Sequence, residues 1–128
     1  MKNLLAVILA ISLLHCDNKE TLQEEINNPT IFLKIENKKW ISEERVIGGT
    51  LTNSATKADY SNMVILVHYF SNTGTNLGTE RVSDYYILKA GESRDYRLDI
   101  HPASLTDSIA VTIERASYLD YNEKGKFE

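Results

Sequence analysis

Residues 62–70 read NMVILVHYF, a run that is apolar on both faces of an extended chain. Side chains alternate faces along a strand, so a half-buried strand alternates apolar and polar residues, and one apolar on both faces reads as central. Taking Met63, Ile65, Val67 and Tyr69 as the inner set turns His68 outward. The neighbouring segments alternate more cleanly. RVIGGTLTN (45–53) sets Ile47, Gly49 and Leu51 against Thr50 and Thr52. DYRLDI (95–100) sets Tyr96, Leu98 and Ile100 against Asp95, Arg97 and Asp99. SIAVTIER (108–115) sets Ile109, Val111 and Ile113 against Thr112 and Glu114, and TIFLKIEN (30–37) sets Ile31, Leu33 and Ile35 against Lys34 and Glu36. In RVSDYYILK (81–89) Val82, Tyr86 and Leu88 compete with Tyr85 and Ile87 for the inner face.

Turn chemistry separates these runs. SNTGTNLG (71–78) and KAGES (89–93) carry the Gly, Asn and Ser that turns favour, and Pro102 in HPASLTD (101–107) cannot continue a central strand. No segment after residue 30 keeps a helical period. The expected fold is all-β: a single immunoglobulin-like antiparallel β-sandwich of about 6–8 strands, over residues 30–121.

The 128 residues suit one domain. A net charge of -4 with scattered Lys and Arg offers no basic patch, so nucleic acid is not an expected partner. One cysteine and three histidines exclude an internal disulfide and make a structural zinc site implausible; no cofactor or metal is expected.

The N-terminus has a different composition. After Met1, Lys2 and Asn3, residues 4–14 are apolar but for Ser12. A short basic start before about ten apolar residues matches a secretory signal, and is too short to cross a bilayer. Leu13-Leu14-His15-Cys16 then resembles the lipobox of bacterial lipoproteins. In that family the residue before the cysteine is small; here it is His15. The resemblance implies cleavage between His15 and Cys16 and lipidation of Cys16 by acyl chains such as palmitate. The signal peptide is then 1–15, and the protein is exported and held on a bacterial cell-envelope membrane. Asp17 favours the inner membrane in some bacteria and not in others, so inner and outer membrane both stay open. A plain secretory signal and an uncleaved anchor are the other readings. Residues 16–29 read as a lipidated cysteine and a short flexible tether, with one helical turn open at Leu22 and Ile26, which are four apart, and 122–128 read as a frayed tail.

Three segments in order resemble the FxLYD-type immunoglobulin-like domain of bacterial envelope proteins. They are Ile47-x-Gly49-x-Leu51-x-Asn53, then Met63-x-Ile65-x-Val67-x-Tyr69 with SNTGTNLGT, then Leu88-x-x-Gly91-Glu92-Ser93-x-x-Tyr96. The resemblance spans roughly residues 40–116. It implies a sandwich of binding-type function and carries over no catalytic residues.

Catalytic motifs are thin. Ser54-Ala-Thr-Lys57 matches S-x-x-K, but it falls between strands and lacks companion elements. Asp84, Asp95, Asp99, Asp107 and Asp120 form no calcium-loop string. His68 and His101 have no acid–base partner close in sequence. The seven tyrosines carry more information. Tyr85, Tyr86 and Tyr118 are the candidate binding surface, since exposed aromatics on a sheet make protein or glycan contacts. The expected function is therefore non-catalytic: an anchored binding or assembly module contacting an envelope protein, strand addition being one mode. The alternative is a carbohydrate- or cell-wall-binding module that uses the tyrosines.

Overall fold

The computed structural model describes residues 21–38, 40 and 43–121. The expected signal at 1–15, the junction of His15 with Cys16, and the tail 122–128 lie outside the described residues.

Residues 21–27 form a helix, α1. A single helical turn, α2, follows at Pro29–Phe32, with proline at its start, where a missing N–H leaves no bond unmade. Six strands follow among the described residues: β1 (Leu33–Asn37), β2 (Val46–Asn53), β3 (Tyr60–Phe70), β4 (Asn76–Asp84), β5 (Ser93–Asp99) and β6 (Ser108–Tyr118). They build two three-stranded antiparallel sheets, ordered β1-β2-β5 and β4-β3-β6. Labelled as immunoglobulin strands, these orders are A-B-E and C′-C-F, so the chain crosses between layers where that fold does.

The alternation read from the sequence places the core. Ile47 and Leu51 of β2, Met63, Ile65, Val67 and Tyr69 of β3, and Tyr96 and Leu98 of β5 with Ile100 are all buried between the sheets. The inward residues of β6, Ile109, Val111 and Ile113, pack against them half-buried. β3 is the central strand of its sheet and His68 points outward, bonded across the strands to Thr79 and Thr112.

Three segments depart from the pattern. Ile31 belongs to α2 and is 66% exposed, because Pro29 opens a helical turn and extended geometry starts only at Leu33. Of the tether expected at 16–29, residues 16–20 lie outside the described residues and 21–27 are helix, docked with Glu25 fully buried. The third is β4, which begins inside the segment read as a turn. Only 71–75 turns: Ser71 N–H reaches the Thr75 carbonyl, and Gly74 takes φ +82, which a residue with a Cβ resists. β4 stops at Asp84, whose carboxylate accepts the Tyr86 N–H and curls the chain outward.

Gly49 marks a close approach. β1 passes directly over it, and a Cβ there would stand 1.8 Å from the Glu36 carbonyl oxygen. β1 then leans to the other sheet, where the Asn37 amide donates to the Ile109 carbonyl of β6 at 3.1 Å. This seals one side of the sandwich. The other side lies between β4 and β5.

Candidate functional site

The open side takes its shape from an interrupted edge strand. Past Asp84 the chain bulges through Tyr85, Tyr86 and Ile87, then rejoins the sheet at Leu88. There Leu88 N–H and C=O exchange bonds with Tyr60 at 2.9 and 3.0 Å. Leu88 is buried, so the three residues between are forced outward: Tyr85 is 76%, Tyr86 64% and Ile87 38% exposed. Bulges of this kind interrupt edge pairing. From β5, Arg94 lays its guanidinium 3.9 Å from the centre of the Tyr86 ring, a cation–π contact that ties the two sheets.

A groove of about 350 Å³ lies beside this bulge, lined by Ser83, Asp84, Tyr85, Tyr86, Arg97 and Leu98. One wall is the free edge of β5. Ile100 N–H bonds the Arg45 carbonyl and Asn53 N–H bonds the Glu92 carbonyl, both at 2.9 Å. In this register the hydrogen-bonded pairs recur at every second residue, so Tyr96 and Leu98 bond to β2. The N–H and C=O groups of Asp95, Arg97 and Asp99 consequently point away from β2, and among the described residues no strand pairs with that edge. A wider hollow of about 630 Å³ over Gly48 is lined by both acids and bases, among them Lys38, Arg45, Asp95 and Arg97.

The structure thus groups Tyr85 with Tyr86 and separates Tyr118 from them. Tyr118 lies opposite Tyr60 on β6, two strands from β4, and packs against the core. The inward parity of β6 sets this, since Tyr118 continues the face of Ile113 across a bulge.

Higher on the same open side is a cluster that sequence spacing could not show. The Glu80 carboxylate of β4 accepts from the Tyr69 hydroxyl at 2.5 Å and the His101 N–H at 2.9 Å, and meets His101 Nδ1 at 2.8 Å. Burial alone would raise the Glu80 carboxyl, but these donors hold it below the usual carboxylate range. The Tyr69 phenol is pushed up, by burial and then by the carboxylate beside it. Twenty-one residues separate Glu80 from His101, so only the fold brings them together.

The S-x-x-K segment has a structural role. The Glu25 carboxylate sits in a nest made by the N–H groups of Thr56, Lys57 and Ala58, at 2.9 to 3.2 Å, and by the Thr56 hydroxyl at 3.1 Å. Burial opposes its charge, yet these donors leave its pKa lowered. The Tyr60 hydroxyl donates to the Glu25 carbonyl at 2.7 Å, and burial followed by the nearby carboxylate raises that phenol to about 12. Asn53, also buried, donates its amide to the Ala58 carbonyl of the same loop and to the Leu88 carbonyl.

Among the described residues no three His, Cys, Asp or Glu side chains stand together as a metal site, and no helix is long and apolar enough to cross a membrane. No protein-family model matches the chain, and comparisons with curated proteins and with solved structures found no match.

Proposed function

We propose that the chain is a bacterial envelope lipoprotein, anchored through acyl groups on Cys16, whose sandwich is a non-catalytic module that binds an envelope protein by strand addition at β5. The observation that carries the binding mode is the free β5 edge, with the outward backbone groups of Asp95, Arg97 and Asp99 beside a groove walled by Tyr85, Tyr86 and Leu98. An unpaired edge supplies main-chain bonds for a partner strand, and an adjoining groove takes its side chains. The leader composition and the lone cysteine support the anchor, and the resemblance of residues 40–116 to FxLYD-type domains accords with a binding role.

A photo-reactive side chain at Arg97 of the full-length protein, expressed in its own envelope, tests the edge. It should give a protein adduct that the same group at Thr112 on β6 does not, and Arg97→Pro should abolish capture without unfolding the domain, because the Arg97 N–H points away from β2 and no strand among the described residues pairs with it. Adducts of equal strength from both positions would refute strand addition at β5. A cell-wall glycan recovered in place of a protein would favour the carbohydrate reading.

A further inference from the structure

The exposed apolar residues are unevenly distributed. Six large ones are exposed among the described residues: Ile31, Tyr85, Tyr86, Ile87, Leu105 and Tyr121. Leu105 lies at the end of the sandwich where β5 leads into β6. The other five all lie at the opposite end, where β1, β3 and β5 begin and β2, β4 and β6 finish. Helix α1 is at that same end. Glu25 joins it to the loop 56–58, and Tyr60 links Glu25 to Leu88, which closes the Tyr85–Ile87 bulge. The Ser54 hydroxyl holds the Phe32 carbonyl beside Ile31, and the Tyr121 hydroxyl donates to Asp59.

We propose that this end of the sandwich rests on the bilayer, with Tyr85, Tyr86, Ile87 and Ile31 entering the headgroup layer. The inference depends on Cys16 carrying the acyl anchor. Because α1 is helical from residue 21 and docks through Glu25, five residue steps and one helical turn separate Cys16 from its first hold on the folded body. With the five steps fully extended this spans no more than about 24 Å, roughly two-thirds of the length of an 11-residue strand such as β3. The anchor therefore holds the α1 end against the membrane and keeps the Leu105 end away from it.

The chemistry of this end suits a lipid surface. Tyrosine rings sit at the interface with the ring among acyl carbons and the hydroxyl among headgroups. Arg94 beside Tyr86 and the exposed Lys89 offer cations to lipid phosphates, among exposed acids of the same end such as Glu24 and Glu92. Five of the six exposed large apolar side chains lie at the end that the leash holds down, a distribution that a bilayer there explains. The β5 edge, running up the side, stays open to a partner lying along the membrane.

The single tryptophan, Trp40, provides the control. It sits at the far end, its indole donating to the Glu44 carbonyl and lining a hollow with Leu105. The test uses full-length acylated protein in vesicles whose lipids are brominated near the glycerol end of the chains. Tyr85→Trp and Ile31→Trp, each in a Trp40→Phe background, should show blue-shifted emission that the brominated lipids quench. Trp40 in the unaltered chain should not be quenched. If Trp40→Phe does not fold, the difference between Tyr85→Trp with Trp40 retained and the unaltered chain gives the same reading. Emission at 85 that stays water-like, or is blue-shifted but unquenched because a protein or a second copy covers it, overturns the proposal and leaves the anchor standing. Protein that fails to sediment with vesicles, or sediments equally as Cys16→Ser, overturns the anchor and the proposal together.

Discussion

The carboxylate of Glu25 lies 2.9 Å from the backbone nitrogen of Lys57, thirty-two residues further along the chain. That contact converts a polar stretch that reads as a free tether into part of the folded body. A carboxylate held by several backbone N–H groups in a buried nest is a strong acceptor, and removing it leaves those donors unsatisfied.

Glu25→Ala should therefore lower unfolding free energy by about 2–4 kcal/mol and release α1. Urea melts give the first quantity, and limited proteolysis near residue 25 reports the second. Glu25→Gln should recover part of the loss, because an amide oxygen still accepts although its NH₂ cannot. The pH dependence has a definite sign. The folded carboxyl is lowered, so the unfolded state binds the proton more tightly and stability rises with pH. The contribution is complete above the unfolded value, near 4.3, and is lost as pH falls through the folded value. Melts of the unaltered chain should lose more between neutral pH and pH 3 than those of Glu25→Gln; parallel curves would refute the nest as the source.

The strand interiors were legible because alternation reports burial directly. Ile47 with Leu51, the odd residues of β3 from Met63 to Tyr69, and Tyr96 with Leu98 all face inward as their spacing requires. What alternation does not encode is a polar group buried against a distant partner. Glu25 carries the chemistry of a surface residue, and only the loop 56–58 makes its burial favourable. The pairing of Glu80 with His101 was hidden for the same reason. Tyr85 and Tyr118 look equivalent in sequence, yet one falls in an edge bulge and the other on the inward parity of β6.

Gly49 and Gly48 adjoin on β2 and should respond differently to alanine. At Gly49 the new Cβ would overlap the β1 backbone, whose carbonyl oxygen cannot step aside without breaking the strand pair. At Gly48 the Cβ meets the Tyr96 carbonyl oxygen at 3.1 Å, which a small shift relieves. Gly49→Ala should cost about 3 kcal/mol or more, as other large single substitutions do, and should free β1 for hydrogen exchange. Gly48→Ala should cost no more than about 1 kcal/mol. Equal melting temperatures for the two variants would contradict the crossing of β1 over Gly49.

The Glu80 cluster joins β4 to the chain leaving β5 on the open side of the sandwich. Its folded carboxyl is also lowered, so its stabilisation is present above the unfolded carboxylate value and fades as pH falls through the folded one. Glu80→Gln should flatten the acid limb of the stability profile. Tyr69→Phe, which removes the buried donor, should cost about 1 kcal/mol at neutral pH. The check is chemical denaturation at several pH values. An acid limb unchanged in Glu80→Gln would show that the cluster contributes nothing to the closure of that side.

Tyr85 and Tyr118 should separate surface from core. The Tyr85 ring stands mostly in solvent, and its groove contacts are shallow, so Tyr85→Ser should leave the melting temperature within experimental scatter, as surface substitutions usually do. Tyr118 packs its ring against the core beside Tyr60 and closes the end of β6. Tyr118→Ser removes that packing and should cost about 2–4 kcal/mol. In the membrane assay the order reverses. Loss of the Tyr85 ring should weaken headgroup contact in a folded protein, whereas Tyr118→Ser should change it only as far as it unfolds the domain. Differential scanning calorimetry on both variants, paired with lipid quenching from tryptophan at position 31, distinguishes the two roles. Equal losses of melting temperature would place Tyr85 in the packing of the sandwich and remove it from the surface proposed to meet the bilayer.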